Sequence, residues 1–217
     1  MDLSRRICEF VYVSKTVSNN ANPFVKSTVI PNGVDIKEFL PKKRNNNKKN
    51  VILNVSALVS WKRQDLLIKA LSTINSSSLI LVGKGDRENY LKELGNRLIP
   101  NKLEIVSYEH RDMPKIYQKA DLFSFPTVPW ESFGIVLIEA MASGLPVVAT
   151  DDPIRREIIG SAGLFVDPTD TDAYSKAIEK ALNTNWGDKP RKQAEKFSWD
   201  KIANKYEELF KQIVKNQ

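Results

Sequence analysis

Short β-branched runs alternate with amphipathic stretches along most of this chain, and that rhythm admits few folds. Strands separated by helices need long crossovers, so they lie parallel in one sheet with the helices packed on its faces. Candidate strands are Phe10–Ser14, Val51–Ala57, Leu79–Val82, Leu103–Val106, Leu122–Ser124, Val147–Thr150 and Leu164–Val166. Candidate helices between them fall at Lys62–Ile74, Glu88–Leu98, Pro114–Lys119, Phe133–Ala142, Pro153–Ile159 and Asp172–Leu182. Two more, Lys189–Phe197 and Asp200–Val214, follow without a further strand. The expected fold class is α/β, a parallel sheet flanked by helices.

The helical period separates two kinds of helix. Leu66, Leu67, Ala70, Leu71 and Ile74 recur at spacings of three and four and form one buried stripe. The stretch Phe133–Ala142 leaves almost no polar face, which is the pattern of a helix buried on several sides. Ser143, Gly144 and Pro146 supply its stop.

Composition bounds the chemistry. Of 217 residues, 41% are apolar and 27% charged, the balance of a soluble globular protein. No run of about 18 apolar residues encodes a membrane span. Met1–Arg6 is followed by too short an apolar run for a signal peptide and reads as a cut chain. With Cys8 the single cysteine, there is no intramolecular disulfide, and with His110 the single histidine, no unaided zinc site. The pair fits a reducing compartment, most simply the cytosol. Cys8 as a small buried hydrophobe is commoner than Cys8 as a nucleophile.

The net charge of +7 suits phosphate-bearing ligands, nucleic acid or an anionic membrane. Much of it sits in Lys37–Lys49 and the C-terminal helices, where a solvated face explains it as well. No basic recognition helix or aromatic-basic strand is present, so nucleic acid is not the expected partner. Lys42–Asn50 has no apolar residue and reads as a surface loop or linker. Ile30–Asp35, with its Pro-Asn-Gly, is turn chemistry.

Three clusters fall where strands give way to helices. The first runs from Trp130 and Glu131 through Phe133, Gly134 and Ile135 to Glu139. A helix starting beyond the carboxyl end of a strand presents free N–H groups and a partial positive charge, a seat for an anion. Glu139 lies in an otherwise apolar helix and needs a partner: a lysine, an arginine, or ligand hydroxyls. Glu131 has the simpler alternative of an exposed loop carboxylate. The second cluster is Ser60–Asp65, where Lys62 and Arg63 stand at a helix start that disfavours cations unless an anion is near. The third is Val82–Arg87, with Gly83 and Gly85 but Glu88 where a dinucleotide fingerprint has its third glycine. It reads as a glycine-rich turn.

Glu131 and Glu139 enclose seven residues, followed by Ala140–Val147. This resembles the E-x7-E signature of retaining glycosyltransferases of family 4, whose two-domain fold is called GT-B. Ile30–Asp35 is similar to that family's interdomain linker, Leu58–Leu67 to its phosphate-binding strand-turn-helix, and Leu81–Gly85 to its next strand and turn. Ala120–Phe123 and Gly163–Val166 flank the signature in the family's order. The resemblance implies the Rossmann-like donor half of such an enzyme, transferring a hexose from a UDP- or GDP-sugar to a saccharide or lipid-linked hydroxyl with retention.

Residue by residue, it implies that Lys62 meets the donor diphosphate and that Glu139 holds the ribose hydroxyls. Glu131 and the backbone of Phe133, Gly134 and Ile135 would orient sugar and phosphates. Ser56 and Gly83 are further candidate donor-binding residues, and Tyr108 is a candidate contact for the base. Neither a metal nor another cofactor is implied. Where the family has Gly-Arg, this chain has Ser56-Ala57, and Arg63 is the candidate substitute; Asp151-Asp152 replaces a glycine pair. The expected organisation is 1–36 as remnant of an acceptor domain plus linker, 37–198 as donor domain, and 199–217 as a helix returning to the absent domain or a partner chain. That leaves Ile202, Tyr206, Leu209, Phe210 and Ile213 partly exposed. A non-catalytic nucleotide-sugar-binding module, or a subunit needing a separate acceptor-binding chain, is the alternative, and peripheral docking at a membrane is common among such families.

Overall fold

The computed structural model describes residues 9–21, 26–42, 50–129 and 131–215, so Cys8, Trp130 and most of Lys42–Asn50 lie outside the described residues. It opens with β1 (Phe10–Tyr12), α1 (Lys15–Asn19) and β2 (Ser27–Val29). The main body follows as β3 (Asn50–Val55), α2 (Gln64–Leu71), β4 (Ser77–Val82), α3 (Glu88–Leu98), β5 (Leu103–Val106), α4 (Met113–Tyr117) and β6 (Leu122–Phe125). It continues as α5 (Ile135–Ala142), β7 (Val147–Thr150), α6 (Pro153–Ile159), β8 (Gly163–Val166), α7 (Thr171–Asn183), α8 (Lys189–Ala194) and α9 (Trp199–Lys215).

Six strands pair in the order β5-β4-β3-β6-β7-β8, every pairing parallel. Alternation along the strands sends Leu53, Phe123, Phe125, Val147 and Ala149 into one core with α4, α5, α6 and α8. It sends Ile52, Leu79, Leu81, Leu122 and Val148 into a second core with α2, α3 and α7. Strands buried on both faces are what an α/β sheet requires, and the Rossmann-like expectation holds. The strand order reverses between β3 and β6, so their carboxyl ends part and open a crevice.

The first forty residues contain more structure than their sequence suggests. β1 pairs in parallel with β2, a strand too short to signal itself, to form a separate two-stranded sheet. Glu157 of α6 accepts from Lys15 N (2.8 Å), Thr16 N (3.1 Å) and Thr16 Oγ1, docking the head of α1 on the main body. Val34 bridges Ser198, and Arg191 donates to the carbonyls of Ile36 (2.7 Å), Phe39 (2.6 Å) and Ala142 (2.7 Å). The linker is thereby tied to both α5 and the start of α9.

α9 corrects the expectation of partial exposure for Ile202 and Leu209, while Tyr206 and Ile213 are half-buried and Phe210 exposed, as expected. Ile202 and Leu209 are buried against Ile30, with Val11, Tyr206 and Ile213 packed around them. Each such side chain contributes about 1.5–3 kcal/mol when fully buried. Phe210 and Val214 remain exposed on the neighbouring face. Among the described residues, no helix is long and apolar enough to cross a membrane.

Candidate functional site

The loops leaving β3 and β6 meet over the crevice. Trp61 O accepts from Val128 N (3.0 Å) and from Thr127 Oγ1 (3.1 Å), holding one loop against the other. Beneath them Asn54 Nδ2 donates across the strand break to Ser124 O at 2.8 Å. Ser56 Oγ donates to Asn54 Oδ1 (2.7 Å) and accepts from Gln64 Nε2 (2.9 Å). The Ser56 hydroxyl is therefore engaged inside the scaffold, while its residue still borders the crevice.

Lys62 and Glu131 come together as an ion pair across this junction. Both are partly shielded, and Lys62 Nζ also stands 5.6 Å from the Phe125 ring centre. With Trp61, Val128 and Ser132 they line an open cleft of about 500 Å³. A second cavity of about 440 Å³ lies at the opposite, amino-terminal edge of the sheet, among Asn50, Asp121, Pro146 and Trp186. None of the predicted site residues reaches it.

The buried helix begins two residues later than its apolar pattern suggests. Gly134 (φ 81°) is the left-handed residue at its head, where any side chain would be strained. Phe133 is 3% exposed and packs edge-on against Phe197 at 5.9 Å, so only its backbone can face a ligand. Ile135, 47% exposed, tops the helix, and Glu139 lies one turn below on the same face. Glu139 is 7% exposed, and its Oε2 accepts from Tyr117 Oη at 2.7 Å. Burial raises the Glu139 pKa, opposed by the Tyr117 bond and by the charge of His110. Among the described residues, Glu139 makes no salt bridge; the partner is a neutral hydroxyl, which the sequence did not suggest.

The remaining candidates spread outward. Helix α2 starts two residues after Lys62, which sits instead in a preceding 3-10 turn, Ser60–Lys62. Arg63 adopts a left-handed backbone (φ 54°) between the two. Gly83 and Gly85 serve backbone packing: a Cβ on either would collide with the carbonyl oxygens of Ser56 and Leu58. Leu58 N to Lys84 O (2.9 Å) and Arg87 N to Leu58 O (3.0 Å) lock those two loops together. Tyr108 follows β5, the outermost strand, 37% exposed and beneath Lys119 Nζ at 5.8 Å from its ring.

Arg155 is a site residue that sequence reading missed. It has no exposed surface, ion-pairs with Asp152 at 3.2 Å, and donates to the carbonyls of Val128 (3.1 Å), Pro129 (3.3 Å) and Glu131 (2.9 Å). It clamps the loop that carries Glu131. Asp152 also caps α6 through Ile154 N and Arg155 N, and Asp151 grips Arg156 with both oxygens. An aspartate just before Pro153 is a helix-start signal that could have located this cap.

A doubly wound sheet with a charged cleft at its strand reversal defines a Rossmann-like α/β domain. Residues 35–198 match the family described as glycosyl transferases, group 1, and the chain belongs to that family. It is 30% identical over 235 aligned positions, gaps included, to an uncharacterised glycosyltransferase of Methanocaldococcus jannaschii, covering 94% of this chain and 60% of that protein. It is 32% identical over 176 residues to a GDP-mannose-dependent monoacylated α-(1-6)-phosphatidylinositol monomannoside mannosyltransferase of Corynebacterium glutamicum, covering 71% of this chain and 46% of that one. Among solved structures, a glycosyltransferase from Rickettsia africae superposes with a TM-score of 0.83 at 25% identity, covering 100% of this chain and 66% of the other. The Anabaena protein HepE, solved with UDP and glucose, shares the fold with a TM-score of 0.81 at 23% identity, covering 97% of this chain and 65% of the other. The chain thus spans about half to two thirds of the length of these proteins.

Proposed function

We propose that this chain is the donor-binding part of a retaining hexosyltransferase, taking a UDP- or GDP-sugar. The carrying observation is the Lys62–Glu131 pair at the strand reversal, close to the glycine-headed start of α5. On donor binding, Lys62 transfers its charge partner from Glu131 to the diphosphate. Glu131, still held by its backbone carbonyl, is then free to accept from sugar hydroxyls. As the glycosidic bond to phosphate breaks, negative charge grows on the leaving diphosphate. Lys62 and the amides of Gly134 and Ile135 are preorganised to meet it, and such stabilisation is often the largest catalytic contribution. Glu139 accepts from the ribose. Arg63 supplies a second cation toward the phosphates, and Tyr108 borders the base.

The GDP-mannose relative and the UDP complex of HepE support a nucleotide-sugar donor without choosing the base. The acceptor, a saccharide or lipid-linked hydroxyl, is held by a further domain or partner chain, with the interaction at a membrane surface where the acceptor is a lipid. Isothermal titration with UDP-glucose, GDP-mannose, UDP and GDP tests the reading. We expect micromolar binding of at least one pair and negligible transfer without the acceptor side. Absence of binding to all four removes the donor-site reading. Binding combined with no transfer in the longest natural form of the protein would instead leave a nucleotide-sugar-binding module.

A further inference from the structure

Tyr117 and Glu139 form a bond that neither residue's own helix provides. Glu139 is embedded in α5, where Leu137, Ile138, Ala140, Met141 and Ala142 are all buried, so its carboxylate has lost most of its water. Such a group requires donors. A lysine or arginine would have neutralised it, at the expense of its capacity to accept from a ligand. The hydroxyl of Tyr117 donates at 2.7 Å and brings no cation to cancel a carboxylate charge.

The tyrosine is held in turn. It has no exposed surface, and its ring sits edge-on to Phe39 at 5.6 Å and tilted on Phe123 at 6.0 Å. Phe39 lies just past the linker, and Arg191 fixes it through its carbonyl. Burial and the neighbouring carboxylate raise the Tyr117 pKa, so it remains a donor throughout the working range.

We propose that Tyr117 is a positioning residue for recognition of a ribose diol: its hydroxyl fixes the Glu139 carboxylate in one rotamer, leaving the remaining lone pairs for the 2′- and 3′-hydroxyls. This rests on the donor-site reading above, in which Glu139 meets the ribose. The packing of Phe39 on the same ring makes the segment just after the linker part of that support.

The test compares UDP and GDP with their 2′,3′-dideoxy counterparts by isothermal titration, on the parent chain and on Tyr117→Phe. The substitution removes one oxygen and keeps the ring, and a melting curve checks that the fold is retained. The parent is expected to bind the ribonucleotide at least about tenfold tighter than the dideoxy form, as befits hydrogen bonds to a charged acceptor. Y117F is expected to bind the dideoxy form as the parent does, with the ribose preference reduced about fivefold or more. An undiminished preference in Y117F, at whatever overall affinity, overturns the proposal while the donor site stands. Equal loss for both nucleotides assigns Tyr117 a purely structural role and also overturns it. A parent that binds neither nucleotide, or shows no ribose preference, removes the underlying reading and this inference with it.

Discussion

Arg155, without any solvent exposure, donates to the backbone carbonyl of Glu131 at 2.9 Å from a helix that lies two strands away from β3. The same guanidinium reaches Val128 and Pro129 and pairs with Asp152, so one buried cation sets the path of the whole cleft loop. Burial lowers its pKa, opposed chiefly by Asp152, yet a guanidinium stays charged. Removing it leaves Asp152 buried and unpaired. Arg155→Met is expected to destabilise the fold by about 3–5 kcal/mol in urea denaturation, since breaking a buried pair strands a charge. Adding Asp152→Asn recovers part of that loss. A double variant no better than the single would show that the carbonyl bonds, not the stranded charge, carry the effect.

Gly83, which follows β4, and Gly187, which follows α7, give a second prediction. Gly83 has φ 153° and abuts the Ser56 carbonyl, whereas Gly187 has φ 55° and nothing within 4 Å of a built Cβ. Gly187→Ala meets only the backbone cost of a left-handed residue, about 1–2 kcal/mol. Gly83→Ala adds a clash with main chain that cannot rotate away, and its loss exceeds that of Gly187→Ala. Guanidinium melts of the two variants side by side decide it; equal losses would mean the loops can part freely.

Both predictions concern features of unequal legibility. The sheet was legible because β-branched alternation is local, and the buried α5 because its apolar run has no polar face. Lys62 was legible as a cation at a strand-to-helix turn, whereas Glu131 read equally as an exposed loop carboxylate until the E-x7-E resemblance singled it out; the two line one cleft. Arg155 was not legible, because Arg155-Arg156 resembles any exposed cationic pair; only a loop two dozen residues upstream shows what it holds. Tyr117 was hidden similarly, since its partner is 22 residues away on another helix. Strand β2 has three residues and no period to read. Side chains whose meaning lies in a distant partner leave no local pattern.

Opposite effects are expected from the two members of the cleft pair. On the proposed reading, Lys62 releases Glu131 to meet a diphosphate, so Glu131 would compete with the ligand. Glu131→Gln frees the lysine and withdraws a negative charge, and UDP or GDP should bind severalfold tighter. Lys62→Met removes the cation and should weaken the same nucleotides about tenfold or more, in the range of a hydrogen bond to a charged group. Titration of both variants at fixed ionic strength measures this. Weakening by both substitutions would assign the pair a structural rather than a competitive role.

Glu139 sets a conflict between stability and binding that pH exposes. Its pKa is raised in the fold by burial, with Tyr117 and His110 pulling it back. At pH below the ordinary carboxyl range, about 4, folded and unfolded chains both carry it protonated and it imposes no penalty. As pH rises the unfolded chain ionises first, so stability falls until pH passes the raised folded value and then levels. Glu139→Gln lacks this titration and should gain stability over the parent as pH climbs through that window, the more clearly in a His110→Gln background that removes the neighbouring charge. Nucleotide binding should move the other way. The parent loses affinity as acid protonates the carboxylate, while E139Q binds weakly at every pH. Urea denaturation and titration calorimetry from about pH 4 to 8 follow both curves. A pH-independent stability difference between E139Q and the parent would mean that the carboxylate is not desolvated in the unliganded fold.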